Sequence, residues 1–315
     1  MSTTGTDLVT GGFSYTGRFI TTELLSRGRR VRTMTGHPDR EHPFGGQVEA
    51  VPYSFHDPEA LTKSLAGVHT VYNTYWVRFD KWGLSFRDAI HNTQVFLEAC
   101  REAGVKRFVH ISVSNPSIDS ALPYYRGKAE TEALVRASGL PWRIIRPTLI
   151  LGKRDILLNN IAWLLRRFPL FVIPGDGRYR VQPVTGEDVA RIAVQAATGN
   201  KNVTLDAAGP ETLHFNEVVR AIAAAIGAKR PTLHAPAGLT LALGRVAGLL
   251  VRDVVLTRDE YEGLQQELLV SHHDPLGTTG FTDWLNENGG DLGRRYASEK
   301  ARHFRGVNRR PHTGG

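Results

Sequence analysis

Cysteine is nearly absent: Cys100 is the only one in 315 residues. An intrachain disulfide and a multi-cysteine metal site are therefore excluded, and a reducing, cytoplasmic setting is expected. Also missing is any run of about 18 uncharged apolar residues, the length a membrane-spanning helix needs. The nearest approach, Ala235 to Leu256, is cut by Arg245, Arg252 and Asp253. Met1 to Asp7 is polar and leads straight into an apolar strand, unlike a secretory signal, so no membrane partner is expected. Acidic residues are in deficit, with 31 Asp and Glu against 39 Lys and Arg, a formal net charge of +8. Lys300, Arg302, Arg305, Arg309 and Arg310 carry five of those charges, which leaves +3 for everything before them. That distribution predicts a solvated, disordered basic tail over about 304–315 and no nucleic-acid partner. No internal repeat or low-complexity segment is present.

What is there is the composition of a folded globular protein, 41% hydrophobic and 22% charged. The first half alternates apolar strands with amphipathic helices. Strands are expected at Asp7–Thr10, Arg30–Met34, Val48–Phe55, Thr70–Thr74, Arg107–Ser112 and Trp142–Arg146. Helices are expected at Gly17–Ser26, from Asp57 to Leu65, at Phe86–Ala103 and at Pro123–Ser138, with Gly28, Gly104 and Gly139 as stops. Crossovers of this length predict an α/β fold built on a doubly wound parallel sheet. Residues 1–152 would form that domain, with 178–208 contributing strands. Residues 153–315 would form a smaller, mostly helical substrate-binding lid.

The strongest local signal is Thr10-Gly11-Gly12-Phe13-Ser14-Tyr15-Thr16-Gly17, between the first strand and the first helix. A pyrophosphate needs backbone N–H groups at a helix N-terminus, and small residues permit that close approach. Gly11, Phe13, Ser14, Tyr15, Thr16 and Gly17 are the candidate contacts, and a bulky residue at Gly11 or Gly17 should abolish binding while the protein still folds. The end of the second strand carries no acid to bind a free ribose; His37, Arg40 and Arg18 suit a 2′-phosphate. NADP(H) is thus favoured over NAD(H). His56 and Asp57 could line an adenine, and Asp57 could equally cap a helix.

A second signal is Tyr124-Tyr125-Arg126-Gly127-Lys128. Tyr124 and Lys128 share a helix face, where an ammonium can stabilise a phenolate and ease proton transfer. Lys128 could also hold a nicotinamide ribose. Ser112 or Ser114, at the end of the preceding strand, could orient a carbonyl. Tyr296 and Lys300 repeat the spacing without a serine-bearing strand before them. Trp76, Phe79 and Trp82 either wall a pocket for an apolar substrate, together with Asn115, or form a packed aromatic loop. The adjacent side chains of His272-His273-Asp274 diverge and no third histidine is near in sequence, so no metal is expected. Cys100 falls on the apolar face of a helix, as a core residue would.

In order, TGGFSYTG, HISVSNP, YYRGK, IIRPTLILG, VQPVTGEDVA and LDAAGPETLHFNEVVRAIAAAIG resemble an extended or atypical short-chain dehydrogenase/reductase over residues 6 to 230. Within that family the chain resembles the NmrA-like and complex I nucleotide-binding-subunit-like branches. The resemblance implies a seven-stranded Rossmann sheet, bound NAD(P) and a Ser–Tyr–Lys site on Ser112 or Ser114, Tyr124 and Lys128. It also implies a cofactor contact at Pro147 and, in some members, a proton relay through the position of Asn92. Ser14 replaces the family's middle glycine, and Gly36 stands where many NADP-binding members carry arginine. The expected activity is NAD(P)H-dependent hydride transfer to or from a carbonyl or alcohol of a small apolar molecule, by a monomer or homodimer. A non-catalytic dinucleotide sensor and a sugar-nucleotide epimerase or dehydratase are the alternatives.

Overall fold

The computed structural model of the chain describes residues 5–36, 38, 42–77, 84–236, 238–240 and 257–298. The first half runs β1 (Thr6–Thr10), α1 (Tyr15–Ser26), β2 (Arg30–Thr35), β3 (Val48–Pro52), α2 (Pro58–Ser64), β4 (Val68–Asn73), α3 (Phe86–Glu102), β5 (Arg107–Ile111), α4 (Pro123–Ala137) and β6 (Trp142–Pro147). The second half runs β7 (Leu149–Leu151), α5 (Ile156–Arg167), β8 (Phe171–Pro174), β9 (Arg180–Val181), β10 (Pro183–Thr185), α6 (Gly186–Ala196), β11 (Val203–Ala207), β12 (Leu213–His214), α7 (Phe215–Ala225), β13 (Thr232–Ala235), α8 (Arg258–Gln265) and α9 (Phe281–Asn288). The third expected strand comes out clearly shorter. It stops at Pro52, which has no N–H to continue the ladder. The stretch 180–184 divides at Gln182, whose side chain donates to the Gly209 carbonyl at 2.8 Å.

Seven parallel strands form one sheet in the order β11-β6-β5-β4-β1-β2-β3. Leu8 and Val9 illustrate how period-2 alternation feeds both faces. Leu8 enters a core with Leu61, Phe96 and Val135 from α2, α3 and α4. Val9 enters the opposite core with Ile20, Leu24 and Val189 from α1 and α6. Strand order reverses between β1 and β4, so a crevice opens at their carboxyl ends, where doubly wound sheets bind ligands. Cys100 is buried in the first of these cores, and burial raises its thiol pKa.

The second half holds a core of its own around Leu158, Phe171, Phe215 and Trp284, but it is laced to the sheet. β11 forms the edge of the main sheet beside β6. Residues 268–279 then run as a strap across the strand ends. The Leu268 carbonyl accepts from Ser114 Oγ at 2.6 Å and the Val270 carbonyl from Asn115 Nδ2 at 2.7 Å. Gly277 N–H reaches the Ala208 carbonyl at 2.8 Å, and the Thr278 and Thr279 N–H groups donate to Asp188 of α6 at 2.9 and 3.0 Å. Among the described residues no helix is long and apolar enough to cross a membrane.

Candidate active site

The glycine loop turns at Gly11, whose φ of +61° lies in the left-handed region that favours glycine. Its N–H donates to the Met34 carbonyl and its own carbonyl accepts from Ser14 N–H, both at 2.7 Å. Gly17 serves packing instead. A Cβ there would stand 2.1 Å from the Gly11 carbonyl oxygen, so the first turn of α1 rests on the loop. A bulky residue at Gly17 must therefore displace backbone, and the expectation of a folded but non-binding variant does not hold at this position. The first turn of α1 contains no acid, and Ser14 makes no side-chain cap. The Thr16 side chain sits half-exposed in this turn, while Tyr15 Oη donates to the Ile150 carbonyl at 3.1 Å. Phe13 is buried and stacks on His42 at 3.8 Å. Arg18 Nη2 lies 3.5 Å from the Phe13 carbonyl, which holds a guanidinium beside the loop.

The crevice is fixed from its other side by β4. Thr10 Oγ1 donates to Asn73 Oδ1 at 3.1 Å and accepts from the N–H groups of Thr74 and Tyr75 at 2.7 and 3.0 Å. Tyr53 reaches the same place from beyond β3. Burial raises its pKa, and hydrogen bonds with Thr10 and the Gly11 backbone oppose that rise. Thr35 and Gly36 end β2 without an acid. His37 and Arg40 lie outside the described residues, as do Phe79, Trp82 and the basic tail. His56 is exposed, and Asp57 Oδ1 caps α2 by accepting from Ala60 N–H at 3.0 Å.

On α4, Tyr124 and Lys128 stand one turn apart beneath Trp76. The Trp76 ring meets Tyr124 edge-on at 6.1 Å and stacks on Phe86 at 5.7 Å. Gly127 makes room for it, since a Cβ there would lie 3.0 Å from the indole. Lys128 Nζ sits 4.7 Å from the Trp76 ring centroid and donates to the Ile111 carbonyl at 3.1 Å. Burial lowers the Lys128 pKa to about 7, with the Glu132 charge opposing the shift. Burial would raise Glu132, but bonds from Arg146, Ser112 and Arg136 hold it below its ordinary value. Arg146 grips both Glu132 oxygens, at 2.8 and 2.7 Å.

Ser112 Oγ is enclosed here without a hydrogen bond of ordinary geometry, although it is close enough to Glu132 to help lower that carboxyl. Ser114 and Asn115 face the strap, as described above. Pro147 is buried at the end of β6, and its carbonyl accepts from Ser114 N–H at 2.9 Å. Asn92 Nδ2 donates to Tyr75 Oη at 2.8 Å. His110, one strand position pair from Ser112, escaped the sequence reading. Asn73 Nδ2 lies 3.2 Å from its Nδ1, and its Nε2 has no partner. Burial and the Lys128 charge lower its pKa to about 3, so the ring is neutral. The signal for it was His110 and Ser112 pointing to one face of a strand two residues before a candidate serine. Tyr296 packs on Trp163 at 5.2 Å in the second half. His273 Nδ1 pairs with Asp206 at 3.1 Å, and no group of three metal-binding side chains occurs among the described residues.

Residues 11–200 match the profile of a protein family described as NAD(P)H-binding. A (4-alkanoyl-5-oxo-2,5-dihydrofuran-3-yl)methyl phosphate reductase of Streptomyces griseus is 28% identical over 229 residues, which cover 70% of this chain and 73% of that relative. The mitochondrial NADH dehydrogenase (ubiquinone) 1 alpha subcomplex subunit 9 of Arabidopsis thaliana is 25% identical over 221 residues, 67% of this chain; the chain spans only 55% of that relative's length. In fold, the chain is similar to a nucleoside-diphosphate-sugar epimerase of Staphylococcus aureus, with a TM-score of 0.69 at 15% identity over 89% of this chain and 99% of that one.

Proposed function

Because this chain belongs to the NAD(P)H-binding family, we propose that it is a reductase of the short-chain dehydrogenase/reductase type, acting on a carbonyl of a small apolar compound. The observation that carries this reading is the pairing of Tyr124 and Lys128 one helical turn apart, beside Ser112 and under Trp76. The glycine loop fits a dinucleotide. Gly11 has the backbone geometry only a small residue adopts easily, and α1 presents its positive end with neither an acid nor a side-chain cap. Gly11, Ser14 and Thr16 would hold the pyrophosphate. A bound reduced nicotinamide would supply the hydride.

The chain's own part is the proton. Tyr124 Oη would deliver it to the substrate oxygen, and Lys128 would stabilise the phenolate left behind. The Ser112 hydroxyl, which has no well-formed bond of its own, would hold that oxygen in place. Trp76 and Phe86 would keep water from the site and favour apolar substrates. We propose NADP(H) over NAD(H), because β2 ends without an acid and Arg18 is held beside the loop. Side-by-side titration should show the tighter binding with NADPH; equal affinity would reverse this preference. Screening ketones and aldehydes with NADPH should yield turnover, and Tyr124→Phe should lower it by roughly 10²–10⁴ while nucleotide binding survives. Full activity in Tyr124→Phe would sink the mechanism.

One feature favours a second reading, a dinucleotide sensor without turnover. Lys128 Nζ is engaged by the Ile111 carbonyl and covered by Trp76. Tight nucleotide binding with an empty substrate screen would support that reading.

A further inference from the structure

The second half carries a surface unrelated to the crevice. Of the seven large hydrophobic side chains exposed among the described residues, three gather where α5 runs into β8 and where β13 pairs with it: Phe168, Leu170 and Leu233, at 37%, 39% and 52% exposure. The Phe171 N–H donates to the Pro231 carbonyl at 3.0 Å, and Leu233 stands opposite Val172 in the ladder. Strand alternation puts Leu170, Val172 and Leu233 on one side of this ribbon. Arg167, Lys229 and Arg230 are exposed next to these residues in the chain.

Within the segments that build this ledge the charge has one sign. No aspartate or glutamate occurs in 156–175 or in 218–240. Asp291, between the two carbonyls that Arg166 binds, is already paired with Arg294 at 3.0 Å. A groove of about 400 Å³ opens between Arg166 and residues 226–230, bordered by Lys229 and Arg230. An exposed apolar ridge with a basic rim, and no compensating acid within its segments, is chemically complementary to a layer that is apolar inside and anionic at its surface.

We propose that this ledge docks the protein on an anionic lipid bilayer. Phe168, Leu170 and Leu233 enter the headgroup boundary, while Arg167, Lys229 and Arg230 meet lipid phosphates. No helix spans the membrane in this arrangement, because lying on a bilayer requires only an apolar face and a cationic edge. The expectation that no membrane is involved rested on spanning criteria and on the absence of a signal, neither of which bears on surface docking.

Sedimentation of the full chain with vesicles tests this. The protein should pellet with phosphatidylcholine vesicles containing one third phosphatidylglycerol, remain in solution with pure phosphatidylcholine, and be released by salt. Lys229→Gln with Arg230→Gln should weaken binding roughly 25-fold, since each basic residue near an anionic surface is worth about 1 kcal/mol, a factor of about five. Phe168→Ser should weaken it roughly ten-fold. NADPH titration should be unchanged in both variants, and the thermal melt unchanged in the Lys229/Arg230 variant, which separates this surface from the proposed active site. A comparator carries Arg305, Arg309 and Arg310 as glutamine. Loss of binding there with retention in the ledge variants would overturn the proposal. So would failure of the unaltered chain to bind anionic vesicles, or capture by soluble polyglutamate in preference to them, which would point to an acidic protein.

Discussion

Lys128 is held out of water. Burial takes its pKa from 10.5 to about 7, so the folded state disfavours a proton that the unfolded chain retains. Stability linked to this group is fully present above the unfolded pKa and is lost as pH falls toward about 7. Wild-type stability should therefore rise between about pH 7 and about pH 9.5 more steeply than that of Lys128→Met, as read by urea denaturation. Parallel pH profiles would show that the ammonium is not buried as described. His110 works on the acid side. Its folded pKa of about 3 lies below the ordinary 6.5, so its contribution is present above pH 6.5 and is lost as pH falls through that interval. His110→Gln should flatten acid destabilisation there; an unchanged acid limb would place the charge elsewhere. Tyr124 and Lys128 were legible in the sequence because helical spacing is local. The partners of His110, Asn73 and Lys128, come from another strand and a helix, and only the fold brings them together.

At the scale of elements, α1 and the strap set the tolerance of the site. Gly17→Ala already forces a Cβ toward the Gly11 carbonyl and should destabilise the protein by about 1–3 kcal/mol. Gly11→Ala meets side chains rather than backbone, the Ser14 hydroxyl most closely, and a left-handed φ, about 1–2 kcal/mol. It is the better probe of nucleotide binding, and a larger loss of stability in Gly11→Ala than in Gly17→Ala would contradict this division of roles. Asn115 combines a φ of +51° with amide bonds to the Leu268 and Val270 carbonyls. Asn115→Gly should lose those bonds, about 0.5–1.5 kcal/mol each, and Asn115→Ala should lose about 1 kcal/mol more through backbone strain. Chemical denaturation of the pair separates the two effects. The glycine loop could be read in advance because its geometry depends on residue size over eight positions. The strap could not, because irregular chain bonded through backbone carbonyls has no period.

Across the whole molecule, six of the seven main strands come from residues 6–147 and the seventh, β11, from 203–207. The parallel sheet was foreseeable from alternating strand and helix periods. The second half's dependence on the first was foreseeable only in outline, as shared strands. A chain ending at residue 200 should therefore be insoluble or expanded, because the edge of β6 and the strap's contacts are both left open; a soluble product with a cooperative melt would contradict this. The same topology dictates events on the ribosome. At roughly 5–20 residues per second, the interval between emergence of β6 and of β11 lasts about 3–11 s. Throughout it the nascent chain offers unpaired backbone N–H and carbonyl groups along 143–147, a ready template for a neighbouring polypeptide on the same messenger. Yield in a cell should therefore rise when a holding chaperone is supplied to cover that edge before the seventh strand arrives.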